Sequence, residues 1–318
     1  MPQPNVNQLR ECLVLRSALE LSGERAALYR RVASGALTHV ARGVYVETQN
    51  WAAWSPRTRY RAAVVASALI AREPMIYSHE SAALLWKLPW VGAWPEVVHV
   101  TTDAALGGRS SVLMSRHTLG APEPTEVIDG LAVTTLARTV VDLAARLPFD
   151  LGVVVADAAL RRTFHSIAGV PRTSVTADDL ERELLRLPLR HGSARARRTL
   201  YFADERADRP GESLSRVTIC LAGITPPQLQ VVMYGASGRR YVVDFWWPEF
   251  NVIGEFDGVA KYSDPEFLQG RTPEQALIDE KKREDDLRAT NKGFARWGWS
   301  EARSIPLLTQ RLRQAGVR

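Results

Sequence analysis

Apolar positions recur at helical spacing over residues 9–21, and Ser22-Gly23-Glu24 interrupts them. A second helix is predicted over 25–33, with Leu28 and Val32 one turn apart and Arg25, Tyr29, Arg30 and Arg31 on its other faces. Ser34-Gly35 ends it. Residues 37–46 read as two short strands meeting near Arg42-Gly43. The pattern continues with an Ala-rich helix over 57–70 and a helix over 78–86, for which Ser78 is a plausible N-cap. Strands follow over 97–102 and 131–135, then helices over 137–147 and 151–161. A linker near 163–177 leads to an acidic-then-apolar helix over 178–187. Arg186, Arg190, Arg195, Arg197 and Arg198 then crowd around Gly192-Ser193, a run that fits a solvated helix face or a secondary DNA contact.

After residue 211 a helix to about 221 gives way to strand patterns over 229–234 and 241–247. The second of these is β-branched and aromatic and ends at Pro248. A short apolar run over 252–258 follows, so residues 248–251 predict a hairpin. A charged helix over 273–291 and a last strand over 294–297 complete an α/β core. In the charged helix, Asp279–Arg283 and Glu284–Arg288 have the spacing of surface ion pairs.

The 318 residues suggest two or three domains, and 46% hydrophobic with 24% charged residues excludes a disordered chain. A net charge of +6 favours polyanionic partners, nucleic acid first. Two distant cysteines, Cys12 and Cys220, make neither a disulfide framework nor a Cys-based zinc site. No signal-peptide pattern opens the sequence and no apolar run is long enough for a bilayer, so no membrane partner and a cytoplasmic location are expected.

Helix, turn, basic helix and β-ribbon is the order of a winged helix-turn-helix, whose second helix enters the major groove of duplex DNA. Arg25, Arg30, Arg31 and Arg42 are its candidate phosphate contacts. The expected fold class is α+β multidomain. A winged helix over 1–55 precedes a mixed α/β middle domain over 56–175, a basic helical linker over 176–203 and an α/β sandwich core over 204–318.

Asp244, Glu255 and Asp257 fall on strands that otherwise read as buried, where an ionised carboxylate needs a partner. A hard divalent cation such as Mg²⁺ would relieve their mutual repulsion. In the middle domain, His79-Glu80 lacks the second histidine of a zinc motif because Ala83 stands at that place. His79 and Arg116-His117 therefore read as a capped helix end and surface histidines. Arg138 and Asp142 read as a helix-surface ion pair, and the middle domain as a scaffold without chemistry of its own. Trp246, Trp247, Trp297 and Trp299 read as core or groove-edge packing.

The spacing Leu28-x-x-x-Val32-x-x-Gly35-x-Leu37-x-x-Val40-x-Arg42-Gly43-Val44-Tyr45 resembles the N-terminal winged helix of AbiEi-type antitoxins of toxin–antitoxin systems. Ser78-His79-Glu80-Ser81-Ala82-Ala83 and Thr134-Thr135-x-Ala137-Arg138-Thr139-Val140-Val141-Asp142-Leu143 continue that likeness. Residues 204–312 resemble the DUF559 and very-short-patch-repair (Vsr-like) branch of the PD-(D/E)xK nuclease superfamily. The likeness rests on Glu212-Ser213-x-x-Arg216, Tyr241-x-x-Asp244-Phe245, Glu255-x-Asp257-Gly258 and Arg283-x-x-x-Leu287, with Gly293 and Arg296 beyond. This second resemblance implies an endonuclease that hydrolyses DNA phosphodiesters in repair or defence. Asp244 and Glu255 would hold Mg²⁺ or Mn²⁺, with Glu212 or Asp257 near it. The superfamily's lysine is replaced by Asp257, so Lys261, Lys282 or Arg283 would supply the positive charge. The alternative implied by the first resemblance is a non-catalytic, antitoxin-like regulator with a degenerate nuclease fold and a cognate toxin or other protein as partner.

Overall fold

A computed structural model of the chain describes residues 4–21, 25–102, 110, 113–118, 124–161, 175–186, 191–258 and 272–318. The chain is mixed α/β and forms two compact units, residues 1–147 with 162–200 and residues 148–161 with 201–318. No helix among the described residues is long and apolar enough to cross a membrane.

The first unit opens with α1 (Val6–Cys12), capped by Asn5, whose side chain accepts from the Gln8 N–H while the Gln8 side chain returns the bond. The continuous helix predicted over 9–21 does not form. Leu13–Leu15 is a strand, β1, followed by α2 (Arg16–Leu21). The reason is tertiary: α3 (Arg25–Ala33) is followed by the hairpin of β2 (Leu37–Ala41) and β3 (Val44–Glu47), and β1 pairs antiparallel with β3. Leu13 thereby joins Val6, Leu9, Val40, Val44 and Val46 in one core. Burial on a sheet outweighs a helical propensity worth only tenths of a kcal/mol per residue, roughly.

Next come α4 (Thr48–Ala53) and α5 (Pro56–Ile70), the latter capped by Ser55 with Pro56 at its first turn. A five-stranded sheet follows in the order β6-β5-β4-β8-β7. Its strands are β4 (Ile76–Tyr77), β5 (Val98–Thr102), β6 (Met114–Thr118), β7 (Thr125–Ile128) and β8 (Leu131–Thr134). The sequence pattern gave no sign of β4, β6 or β7. Against the sheet lies α6 (His79–Leu85), and α7 (Leu136–Arg146) packs on α6. Ser78 is the N-cap residue of α6 but makes no capping hydrogen bond, because its Oγ lies 3.1 Å from His79 Nδ1. On α7 pack α9 (Ala177–Arg186) and residues from α10 (Ser193–Phe202), through Val141, Ala144, Leu184 and Ala196.

The second unit pairs α8 (Phe149–Arg161) with α11 (Pro210–Leu221). Between them, Asp157 and Arg216 form a buried ion pair 2.7 Å long. Arg216 also donates to the Phe202 carbonyl and covers the Phe202 ring. The sheet has the order β12-β11-β10-β9, formed by β9 (Gln228–Tyr234), β10 (Arg240–Trp247), β11 (Val252–Phe256) and β12 (Gly293–Trp297). The predicted hairpin is present: a short 3-10 turn over Pro248–Phe250 joins antiparallel β10 and β11. The strand β12 runs parallel to β11 after α12 (Pro273–Arg288), and α13 (Trp299–Ala302) and α14 (Ile305–Gln314) end the chain.

Trp247 and Trp297 are core residues, and the Trp297 Nε1 donates to Ser215 Oγ on α11. Their rings close over Gly254. A Cβ there would lie 2.7 Å from Trp247 Cζ3 and 2.8 Å from Trp297 Cη2. Gly254→Ala is therefore expected to destabilise the second unit by about 1–3 kcal/mol through overpacking. Reduced protection of β11 amides in hydrogen exchange is the check, and unchanged protection would contradict it.

Candidate active site

Strand register builds the site. Across β9 and β10, Val243 faces Val231 and Phe245 faces Leu229, which sets Gln230 opposite Asp244. Across β10 and β11, Phe245 faces Gly254, which sets Asp244 opposite Glu255. Glu255 in turn pairs with Arg296 of β12. Gln230, Asp244, Glu255 and Arg296 thus form one transverse row, one residue per strand, at the ~4.8 Å spacing of neighbouring strands. The helix α11 brings Glu212 to this row, and α12 brings Arg283 and Glu280.

Glu212 stands in the first turn of α11 and is buried. Its Oε2 accepts from the Asp208 N–H and from Gln230 Nε2, each at 2.9 Å. The same Gln230 nitrogen lies 3.5 Å from Asp244 Oδ1, so one amide bridges two carboxylates. Gln230 does this from the left-handed region, with φ +50°. A bulky residue held there inside a strand carries local strain of about 1–3 kcal/mol. Asp244 Oδ2 accepts from the Phe256 N–H at 3.0 Å.

Glu255 meets Arg283 through Oε2 in an ion pair. Its Oε1 is buried and has no hydrogen-bond partner among the described residues. Burial raises the Glu255 carboxyl to about 7, Asp244 adds to the rise, and Arg283 opposes it. Burial and then the Asp244 charge also push Glu212 well above the usual carboxylate range. The Arg283 guanidinium is shifted upward by its two carboxylates, Glu255 and Glu280, against the effect of its own burial.

Three of the sequence-predicted acids, Glu212, Asp244 and Glu255, come together. Asp257 meets Arg296, 3.7 Å between Oδ2 and Nη1. Arg296 also pairs with Glu280 at 2.8 Å and Glu284 at 3.1 Å. Lys282 is exposed on α12, and its neighbour Arg283 is the residue that reaches the acids. Arg283 pairs with Glu280 and Glu255, not with Asp279, whereas the Glu284–Arg288 pair forms as spaced. Lys261 lies outside the described residues, as does Arg190 of the basic run. Gln230 was missed: beside Gln228 and between Leu229 and Val231, it reads as one more solvent-facing strand position.

Among the described residues no group of three or more His, Cys, Asp or Glu side chains is arranged to hold a metal ion. In this conformation Glu212 is turned to Gln230 and Asp208, and Glu255 to Arg283. The donor set itself suits a hard cation. Carboxylate oxygens dominate it, two of the carboxyls are destabilised in their charged forms by burial and by Asp244, and one buried oxygen has no donor among the described residues.

On the first unit, Arg25, Arg30 and Arg42 are exposed, with Arg25 over the ring of the exposed Tyr29. Arg31 is engaged by Glu47 of β3.

Of the residues read as a capped helix end and surface histidines, His79 is buried and His117 is half-buried. His79 and His99 are buried, and His117 stacks on His79 with ring centroids 3.7 Å apart. His99 Nδ1 lies 2.9 Å from His117 Nε2 and 3.4 Å from Arg146 Nη1. His99 Nε2 lies 3.4 Å from Glu80 Oε2, and neither atom has a hydrogen-bond partner among the described residues. Burial is the first cause that lowers His99 to about 3 and His117 to about 4, and Arg146 adds to both. The imidazoles are neutral at physiological pH and form a polar core. The Arg138–Asp142 pair read as a surface contact is buried too, with each side chain 1% exposed.

No family model matches the chain. It is similar to two uncharacterized proteins of Mycobacterium tuberculosis, MT2308 of strain CDC 1551 / Oshkosh and Rv2248 of strain ATCC 25618 / H37Rv. Each is 29% identical over 146 residues, which is 46% of this chain. The match spans 50% of each relative's length.

Proposed function

We propose that the chain is a DNA-associated protein whose second unit hydrolyses phosphodiesters with a divalent metal. The observation that carries this reading is the meeting of Glu212, Asp244 and Glu255 at one row of a four-stranded sheet. Acids from a helix and two strands in this arrangement are what the PD-(D/E)xK resemblance leads one to expect. Asp244 and Glu255 are the residues that would hold Mg²⁺ or Mn²⁺. When bound, such an ion supplies an acidified water and neutralises charge developing on the phosphate.

The protein's own groups prepare that chemistry. Gln230 fixes Glu212 and Asp244 relative to each other through a single amide. The Phe256 N–H orients Asp244. Among the described residues Arg283 is the cation beside the acids, in the role the superfamily gives to lysine. In the first unit, α3 and the β2–β3 hairpin would form a winged helix that holds the duplex through Arg25, Arg30 and Arg42.

The test is incubation with supercoiled and linear DNA in Mg²⁺, Mn²⁺ or EDTA, beside an Asp244→Ala/Glu255→Ala double variant. Metal-dependent nicking is expected, with at least a ~10³-fold loss in the variant. One observation favours a second reading, a DNA-binding regulator with a vestigial nuclease fold: Asp257 stands where the lysine belongs and pairs with Arg296. Equal DNA binding by both proteins, with no cleavage by either, would establish that reading instead.

A further inference from the structure

Arg283 is positioned to do more than neutralise a neighbour. Its Nη2 lies on Glu255 Oε2, the acid that the metal reading needs. The same guanidinium is held independently by Glu280, through Nε at 3.2 Å and Nη2 at 3.0 Å. Its Nη1 is 3.4 Å from the Val242 carbonyl. Glu280 in turn is fixed by Arg296. Releasing Glu255 would therefore leave Arg283 anchored on its own helix, three residues from its partner.

Glu255 has one oxygen on Arg283 and one buried oxygen with no hydrogen-bond partner among the described residues. A divalent ion reaching that oxygen and Asp244 would stand within a few ångströms of the guanidinium. Two cations at such a distance repel one another. They cannot share Glu255 without penalty.

We infer that Arg283 is an internal cation that occupies the metal's place on Glu255 and must be displaced for a divalent ion to bind. This rests on the metal-site reading above and deepens it. Metal binding is thereby coupled to release of a guanidinium beside the site, pre-anchored by Glu280 and free to take a phosphate oxygen in a bidentate fashion. The resting protein keeps its acids neutralised and its metal affinity low until polyanion and ion arrive together.

The experiment is calorimetric titration of the full chain with Mn²⁺ in the absence of DNA. The proteins compared are the wild type, Arg283→Gln, Arg283→Lys and Asp244→Asn, each first shown to be folded by circular dichroism. Arg283→Gln is expected to bind Mn²⁺ about ten-fold more tightly than wild type. Arg283→Lys keeps the charge and is expected to stay near wild type, and Asp244→Asn to lose the site. If wild type binds Mn²⁺ at this site and Arg283→Gln binds no more tightly, displacement is wrong while the metal site stands. Equal tightening by Arg283→Lys would likewise overturn it, since loosened packing rather than charge would then be the cause. If neither wild type nor Arg283→Gln binds millimolar Mn²⁺, the metal reading and this inference fall together.

Discussion

Arg138→Met is expected to destabilise the first unit by about 3–5 kcal/mol, the usual cost of removing one partner from a buried ion pair. Arg138 Nε donates to both carboxylate oxygens of Asp142 at 2.9 Å, and neither side chain is more than 1% exposed. His79 Nδ1, 3.9 Å away, offers Asp142 no charge, since burial and the adjacent histidines hold that ring neutral. The variant would take the guanidinium away from a carboxylate buried where α7 packs on α6. Hydrogen exchange of α7 amides gives the opening free energy of that region directly. The double replacement Arg138→Met/Asp142→Leu is expected to recover part of the loss, because it removes the buried carboxylate together with the guanidinium. A single-variant effect under 1 kcal/mol, roughly, would mean that water reaches Asp142 and that the pair is not structurally essential.

The second unit is expected to lose stability as pH rises from 4.5 to 7 when no divalent ion is present. Glu255 has an ordinary value of 4.5 and is held at about 7 by burial, with Asp244 adding to the rise. Its folded form thus binds a proton more tightly than the unfolded chain does. The corresponding stabilisation is complete below the unfolded value and gone above the folded one. The gap from 4.5 to about 7 corresponds to on the order of 3 kcal/mol. Asp157, raised from 3.8 to about 6 by burial against the pull of Arg216, has the same sign, and so does Glu212. Opening free energies of β10 and β11 amides, measured at pH 5.5 and pH 8 in EDTA, should fall over that interval. Glu255→Gln should flatten the part of the slope that Glu255 supplies. A wild-type profile that is level, or a slope untouched by Glu255→Gln, would show that the acid cluster is solvated rather than buried.

These two expectations concern buried charge, and buried charge is where sequence and structure diverged. At i, i+4 on a helix, Arg138 and Asp142 look the same whether the helix face meets water or a sheet. Only the packing of α7 decided that they face the core. The histidines are a similar case. His79, His99 and His117 lie on a helix and two strands, and β6, which brings His117 beside His99, left no readable pattern.

Local rules sufficed where elements are short-range in origin. The helix over Arg25–Ala33, the turn at Gly43 with φ +74°, the hairpin closed by Pro248–Phe250 and the strand pattern of β10 all follow from residue types and spacing. The acids were marked as unusual by the same logic, since Asp244 and Glu255 interrupt strands that otherwise want to be buried. The helical period over residues 9–21 gave the wrong element at Leu13–Leu15, because propensity is weaker than a strand partner supplied from residues 44–46.

By itself, then, the sequence determined that the chain is mixed α/β, that its last third is a helix-flanked sheet, and that acids occupy the strands of that sheet. Tertiary structure alone decided which groups answer those acids. Strand register put Gln230, Asp244, Glu255 and Arg296 in one row, and the docking of α12 put Arg283 on Glu255 while Asp257 turned to Arg296. The physical reason is range. Period and turn chemistry act over a few residues, whereas the partner of a buried charge is set by whichever element the whole fold brings within hydrogen-bonding distance.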